Sequence, residues 1–342
     1  MKYLFIAHSH TLCFSDLGTM NFLGLKPDDC VFVFTRNFKC DYIPHGCSIV
    51  GGNDFYSKSH DAYMQQNHRL RKTLIRELDS EINSWLNDEY ELFLPHMCDP
   101  YAMLLATNKR CRKVSFVQEA AFTVRERFDV KKPFLRKLLD KIESYRIYHT
   151  TRFYGCNWYV DGQLHQDKID TYSLYPEYFK YLPSENHTIT WPTIGIDVDI
   201  DMDGVYFIMD GYVKNGMAES DVYMTQCRDM IRQFKGGRNY VKFHPNQSKE
   251  ECDTILSFFE DEMVEVMRQD IPFELYITNG RNLSIVGMTS TLLFLAKKQG
   301  HRVVSCDSWM MQSPKFRKLH DEGMPLFHEY FDDEQPTQKT VE

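Results

Sequence analysis

The sequence holds ten cysteines but no C-x-x-C pair. That excludes an ordinary zinc ribbon, and the scatter of the ten gives no disulfide framework. Free, reduced thiols in a cytoplasmic protein are the expectation. Long apolar runs are missing too, since none approaches the ~20 residues needed to span a bilayer. The start, MKYLFIAHSHTLC, meets His and Ser too soon for a signal peptide and reads as a first strand. Neither half carries G-x-G-x-x-G after its first strand, nor G-x-x-x-x-G-K-[ST], so dinucleotide and P-loop chemistry have no support. Positive charge is in deficit, with 40 Lys and Arg against 48 Asp and Glu and a net charge of −8. General nucleic-acid binding wants a basic face, and no nucleic-acid partner is expected. There is no internal repeat.

What is present is the profile of a folded protein, 43% hydrophobic and 26% charged over 342 residues. At about 100–200 residues per domain, two domains are expected. Short β-type runs at 3–7, 31–35, 91–96 and 113–119 alternate with helical patterns. A helix is predicted over 60–87, with Leu70, Leu74, Leu78, Ile82 and Leu86 at spacing four. Another is predicted over 134–148, with Leu135, Leu138, Leu139 and Ile142 on one face. A second alternation has strands at 205–209, 240–244, 264–267, 284–288 and 302–305. Its helices fall at 219–234, near 248–260, from Pro272, and over 290–298. Alternating strands and helices imply parallel sheets covered on both faces. The predicted fold is α/β, two Rossmann-like domains facing a central cleft. The boundaries are 1–196 for the first domain, 197–204 for a linker and 205–330 for the second domain, with a disordered tail at 331–342.

The linker is acidic. DVDIDMDGVYFIMDG carries Asp197, Asp199, Asp201, Asp203 and Asp210 and resembles a calcium loop in its spacing. A working loop needs a helix on each side. Here the upstream flank is strand-like and broken by Pro192, and VYFIM is a buried-strand run. The stretch is therefore read as a hinge, and no metal site is assigned.

Ligands of open α/β sheets sit at the carboxyl ends of the strands. Past 240–244 come His244 and Pro245; the imidazole either meets a leaving phosphate or caps the strand. Past 284–288 come Thr289, Ser290 and Thr291, an anion site at a helix start or a plain N-cap. Glu274, two residues after Pro272, either receives ribose hydroxyls or serves as helix-start chemistry. Glu119, at the end of 113–119, either takes a proton from a sugar hydroxyl or is a solvated glutamate. Asp210 and Gly211 are a second acid-glycine pair at a strand end. His8, Ser9, His10 and Thr11 follow the first strand, and of these Ser9 and His10 are carried as candidate substrate-binding residues.

Taken together, these motifs resemble the bacterial sialyltransferases of the two-Rossmann-domain (GT-B) type, which include lipooligosaccharide sialyltransferases and capsular polysialyltransferases. The resemblance rests on Gln118-Glu119-Ala120 for the acidic motif, His244-Pro245, Pro272-Phe273-Glu274 and Ser290-Thr291, in that order. Gln118 and Ala120 depart from the acidic motif's pattern, which leaves Asp210 as a rival to Glu119 for the base.

The resemblance implies an inverting, metal-independent transfer of sialic acid from CMP-sialic acid to a galactose-terminated glycan in lipopolysaccharide, O-antigen or capsule biosynthesis. No cofactor is implied beyond the donor substrate. Glu119, or Asp210, would take the acceptor's proton and His244 would meet the departing phosphate. Pro245, Gly211, Thr289, Ser290, Thr291 and Glu274 would line the donor site. The acceptor would be lipid-linked in one reading. The basic segment 129–152, with seven Lys and Arg against three Asp and Glu, would then touch an anionic inner-membrane surface. The alternatives are a CMP-Kdo or UDP-sugar transferase and a non-catalytic glycan- or nucleotide-binding protein.

Overall fold

The computed structural model describes residues 1–51, 58, 62, 65, 67–97, 100–119, 134–148, 169–179, 182, 184–245, 247–260, 262–322, 324 and 326–330. The tail expected to be disordered, 331–342, lies outside them, as do Ala120 and most of 60–66 from the helix predicted over 60–87. The chain divides into two compact units, Met1–Ile194 and Gly195–Glu342.

The first unit is built on seven parallel strands. They are β1 (Lys2–Ala7), β2 (Cys30–Phe34), β3 (Ser48–Gly51), β4 (Tyr90–Leu94), β5 (Cys111–Val117), β6 (Ile169–Ser173) and β7 (Ser184–Thr188), in the spatial order β3-β2-β1-β4-β5-β6-β7. The order reverses between β1 and β4, whose registers pair Phe5 with Phe93. Stacked Phe5, Phe32 and Phe93 rings, 5.3 and 4.6 Å apart, fill the middle of this sheet. Its helices are α1 (His10–Phe22), α2 (His68–Trp85), α3 (Pro100–Ala106) and α4 (Phe134–Tyr148). Helix α1 is absent from the sequence prediction. It is buried from Thr11 through Met20, so it has no polar face to set a period. Helix α2 buries Leu78 and Ile82 of the predicted stripe, but Leu70 is exposed and Leu74 half-buried, and Ile75, one position on, faces the core instead.

The second unit repeats the pattern with five parallel strands. They are β8 (Val205–Ile208), β9 (Asn239–Lys242), β10 (Val264–Val266), β11 (Ser284–Gly287) and β12 (Arg302–Ser305), in the order β10-β9-β8-β11-β12. Helices α5 (Ser220–Phe234), α6 (Lys249–Ser257), α7 (Phe273–Asn279), α8 (Thr291–Lys298) and α9 (Pro314–Asp321) complete it. Ser248 and Glu251 form a reciprocal capping box that starts α6. Both units thus have the Rossmann-type order, with a switch point beside the first strand. Two such units are the construction of GT-B.

The acidic stretch ahead of β8 is an anchor. Arg238 approaches Asp201 through Nε at 2.8 Å and Nη2 at 2.9 Å, and the Tyr240 hydroxyl donates to it at 3.0 Å. The Tyr206 hydroxyl donates to the Asp201 carbonyl at 3.0 Å, and Tyr206 stacks on Tyr240. The Asp201 carboxylate is thereby committed to protein partners. Among the described residues no group of three or more His, Cys, Asp and Glu is set to hold a metal ion.

Candidate functional site

In the first unit, four neighbouring strand ends converge. Strand β1 ends at Ala7, and Ser9 caps α1 by accepting from the Leu12 amide at 3.3 Å. This leaves His8 between strand and helix, at the sheet's carboxyl edge. His96 follows β4 and Glu119 follows β5. His8 Nε2 hydrogen-bonds to Glu119 Oε1, and His96 Nε2 lies 3.4 Å from Glu119 Oε2. Arg36, just past β2, acts on the same carboxylate through its charge. Its backbone is left-handed, at φ 54°, a conformation that costs a non-glycine residue of order 1 kcal/mol. Gln118, buried beside Glu119, accepts from the Leu174 amide at 2.8 Å and so fixes the end of β5.

The charges decide the protonation states here. Burial works to raise the Glu119 pKa. The His8 hydrogen bond and the charges of His8, His96 and Arg36 outweigh it and bring the group to about 2. Burial is also the main influence on His96, and it lowers that imidazole to about 4. At neutral pH, Glu119 is thus a carboxylate and His96 a neutral ring. Ser9 and His10 are placed differently. The Ser9 hydroxyl is the α1 cap, while His10 Nδ1 pairs with the Tyr42 hydroxyl at 2.7 Å and its ring sits edge-on to Phe38. His8 and His96 are the residues brought to Glu119. Nothing in the sequence singles out His96, because the convergence depends on β4 lying between β1 and β5.

In the second unit, the strand-end motifs gather at the switch point. His244 follows β9. Its backbone N–H donates to the Gln247 side chain at 2.8 Å, and its carbonyl accepts from the Gln247 amide at 2.9 Å. This tight turn around Pro245 presses the imidazole onto Gly211, past the end of β8. A Cβ at position 211 would lie 2.7 Å from His244 Nδ1, so only glycine admits the ring. Burial lowers the His244 pKa, so the imidazole is neutral at pH 7.

Past β11, Ser290 caps α8, its hydroxyl oxygen accepting from the Leu292 amide at 3.3 Å. Its own O–H remains a donor, and Thr291 opens the helix. Thr289 Oγ1 and Asp210 Oδ2 are both buried and have no hydrogen-bond partner among the described residues. Burial raises the Asp210 pKa to about 7; the Thr289 and Met288 backbone amides draw it partly back, while Asp307 adds to the rise. The Tyr223 hydroxyl bridges the Asp210 amide and carbonyl at 3.0 and 2.8 Å. Asp210 is therefore a buried acid beneath the 288–289 loop.

Glu274 is buried in the first turn of α7. Burial lowers the pKa of Lys242, and Glu274 and Asp270 counter it. Lys242 Nζ donates to the Arg268 and Ile271 carbonyls at 2.8 and 2.7 Å, which ties the loop before α7 to the end of β9. No sequence motif marked Lys242.

The second edge brings together a neutral imidazole, two hydroxyls and the positive end of α8, groups of the kind that suit an anion. A family model decides what this frame is for. The alpha-2,8-polysialyltransferase (POLYST) model matches residues 58–306. The chain belongs to that family. It is a sialyltransferase, a glycosyltransferase by class. No curated protein matches it.

Solved structures similar to this polysialyltransferase-family chain include S. aureus MnaA with UDP. There the identity is 11%, the match covers 89% of this chain and 79% of that one, and the TM-score is 0.49. A sialyltransferase from Photobacterium damsela is 12% identical, with coverage of 94% and 79% and a TM-score of 0.46. The spinosyn rhamnosyltransferase SpnG with thymidine diphosphate is 10% identical, with coverage of 94% and 85% and a TM-score of 0.43.

Proposed function

We propose that the chain moves sialic acid from CMP-sialic acid to a hydroxyl of a glycan acceptor, with inversion at the anomeric carbon. The observation that carries this reading is the anion-binding edge of the second unit. His244 seated on Gly211, the Thr289 hydroxyl, which has no partner among the described residues, and the Ser290-capped start of α8 suit the phosphate of CMP. His244 donates a hydrogen bond to the phosphate as it departs, and that bond strengthens as negative charge develops. Glu274 receives the ribose hydroxyls. The imidazole-bound carboxylate of Glu119 is the centre that handles the acceptor's proton.

In this reading the His244 hydrogen bond and the positive end of α8 meet the charge developing on the phosphate, which makes a divalent ion unnecessary, so transfer proceeds in EDTA. The family's name favours a sialic acid hydroxyl, in α2,8 linkage, as the acceptor. A galactose-terminated glycan is the second acceptor class. The deciding assay supplies CMP-sialic acid with both acceptor types, determines the product linkage, and includes CMP-Kdo and UDP-sugars as rival donors. Release of CMP only from CMP-sialic acid is the expected result, and turnover of a rival donor alone would sink the reading.

The acceptor is taken to be lipid-linked, which puts the reaction at the cytoplasmic face of a bacterial inner membrane. The outer side of α4 supports this. Leu135, Leu138, Leu139 and Ile142 are exposed there, Leu135 by 72%, within a segment rich in lysine and arginine. No helix among the described residues is long and apolar enough to cross a membrane, so the contact is peripheral. Co-sedimentation with anionic but not zwitterionic vesicles is the expected outcome.

A further inference from the structure

Two thiols meet where helix α1 faces the connection after β2. Cys13 Sγ, on α1, lies 3.8 Å from Cys40 Sγ, 27 residues further along the chain. Cys13 is completely buried, whereas Cys40 is partly exposed. The bond from Cys13 is the largest influence on Cys40 and lowers its pKa; burial opposes it, and Tyr42 reinforces it through backbone and side chain. The other seven described cysteines are all raised, burial being the first cause in each. Cys40 is thus the described thiol most ready to act as a thiolate, and Cys13 is its hydrogen-bond donor. Asp16 stands three residues after Cys13 and so on the same side of α1. It is fully buried, and neither of its carboxyl oxygens has a hydrogen-bond partner among the described residues. Burial raises its pKa well above the usual carboxylate range, and its charge acts on both sulfurs. An orphaned buried acid of this kind marks a place of strain or of redox or catalytic use.

We infer that Cys13 and Cys40 are a redox pair, oxidised by low-molecular-weight disulfides to a reversible bond that ties the segment after β2 to α1. The Cys40 thiolate attacks one sulfur of the small disulfide, whose S–S bond breaks and releases a thiolate. Cys13 then attacks Cys40 Sγ, its S–H bond breaks, and the second small thiolate leaves. The protons given up by the two cysteines end on the two departing thiols. Two cysteines are oxidised and one small disulfide is reduced. A disulfide needs its sulfurs about 2.05 Å apart, so closure brings them ~1.8 Å nearer. The segment carrying Cys40 can supply that movement, since residues 35–47 form neither helix nor strand. It also carries Arg36, whose charge reaches Glu119, and Tyr42, which pairs with His10. The bond therefore sets the freedom of a segment that borders the first unit's candidate residues. In a reducing compartment it is transient, as redox-sensing disulfides are. It is independent of the proposed transfer and can be followed without turnover.

The test equilibrates the full chain with reduced and oxidised glutathione over a range of ratios and maps disulfides by mass spectrometry. A Cys13–Cys40 cross-linked peptide should appear as oxidised glutathione rises and disappear on return to reduced glutathione. Cys13→Ser should instead accumulate one glutathione on Cys40, and Cys40→Ser should leave Cys13 unmodified. Trypsin should cut after the exposed Lys39 several-fold more slowly in the oxidised chain, a difference absent in Cys40→Ser. Cys13 lies in the core, so the wild-type and Cys40→Ser results decide the matter even where Cys13→Ser folds poorly. A wild-type chain that keeps glutathione on Cys40 without forming the cross-link, or that forms neither product at any ratio, overturns the inference. Equal cutting after Lys39 in the two redox states overturns it as well.

Discussion

At the level of single residues, Gly211 is the sharpest test of the donor edge. A methyl group there would meet the His244 ring at 2.7 Å, and the ring is the part that must move. Gly211→Ala should therefore lower kcat and weaken CMP binding while leaving the melting temperature almost unchanged. His244→Ala should cost about 10²–10⁴-fold in kcat. Steady-state kinetics and calorimetry with CMP check both.

Asp210 makes a different prediction, about stability. Its pKa in the folded chain, about 7, stands above its unfolded value near 4. The native state binds the extra proton between those two pH values. Its stabilising contribution is complete below about pH 4 and is lost as pH rises through about 7. Asp210→Asn should remove this dependence, worth up to ~4 kcal/mol, and should narrow the difference in denaturation midpoint between pH 5 and pH 8. An unchanged difference would show that the carboxyl is charged in the native state.

At the level of elements, the connection into β8 is held by one carboxylate. Asp201→Ala strands the Arg238 guanidinium and the Tyr240 hydroxyl together. The loss should be about 1 kcal/mol, since Arg238 is half exposed and water replaces much of the pairing. Calcium should give no heat and no change in melting temperature, because this carboxylate is already committed. Among its described side chains, helix α4 exposes Leu135, Leu138, Leu139 and Ile142 beside Lys141 and Arg146, and buries Ser144. Leu138→Ser with Leu139→Ser should abolish binding to anionic vesicles and leave transfer to a water-soluble acceptor intact, measured by co-sedimentation and by kcat.

At the level of the whole molecule, each unit gathers its candidate residues at one sheet edge, imidazoles and a carboxylate in the first, His244 and the hydroxyls at the start of α8 in the second. A ligand that binds only the folded state stabilises it by mass action, about 2.7 kcal/mol at a hundred times Kd. CMP should thus raise the melting temperature of the wild-type chain in a concentration-dependent way. The rise should be smaller in His244→Ala.

Much of this was legible in the residues. Alternating runs of Val, Ile and Phe with helical spacings determined two parallel α/β units, since period and apolar content are local properties of a chain. Pro245 after His244, and serine and threonine ahead of an apolar run, announced strand ends and a helix start, because proline and hydroxyl side chains act within a turn. Helix α1 stayed hidden because burial on all sides erases the polar face that makes a helix visible. Strand order was hidden as well, and it is what sets His8, His96 and Glu119 together across distant stretches of sequence. The sequence by itself determined which residues stand at strand ends. The tertiary structure alone decided which ends are neighbours, and so that Glu119 meets two imidazoles and that a glycine lies under His244. Proximity across a parallel sheet is a property of crossover connections and packing, and no local pattern encodes it.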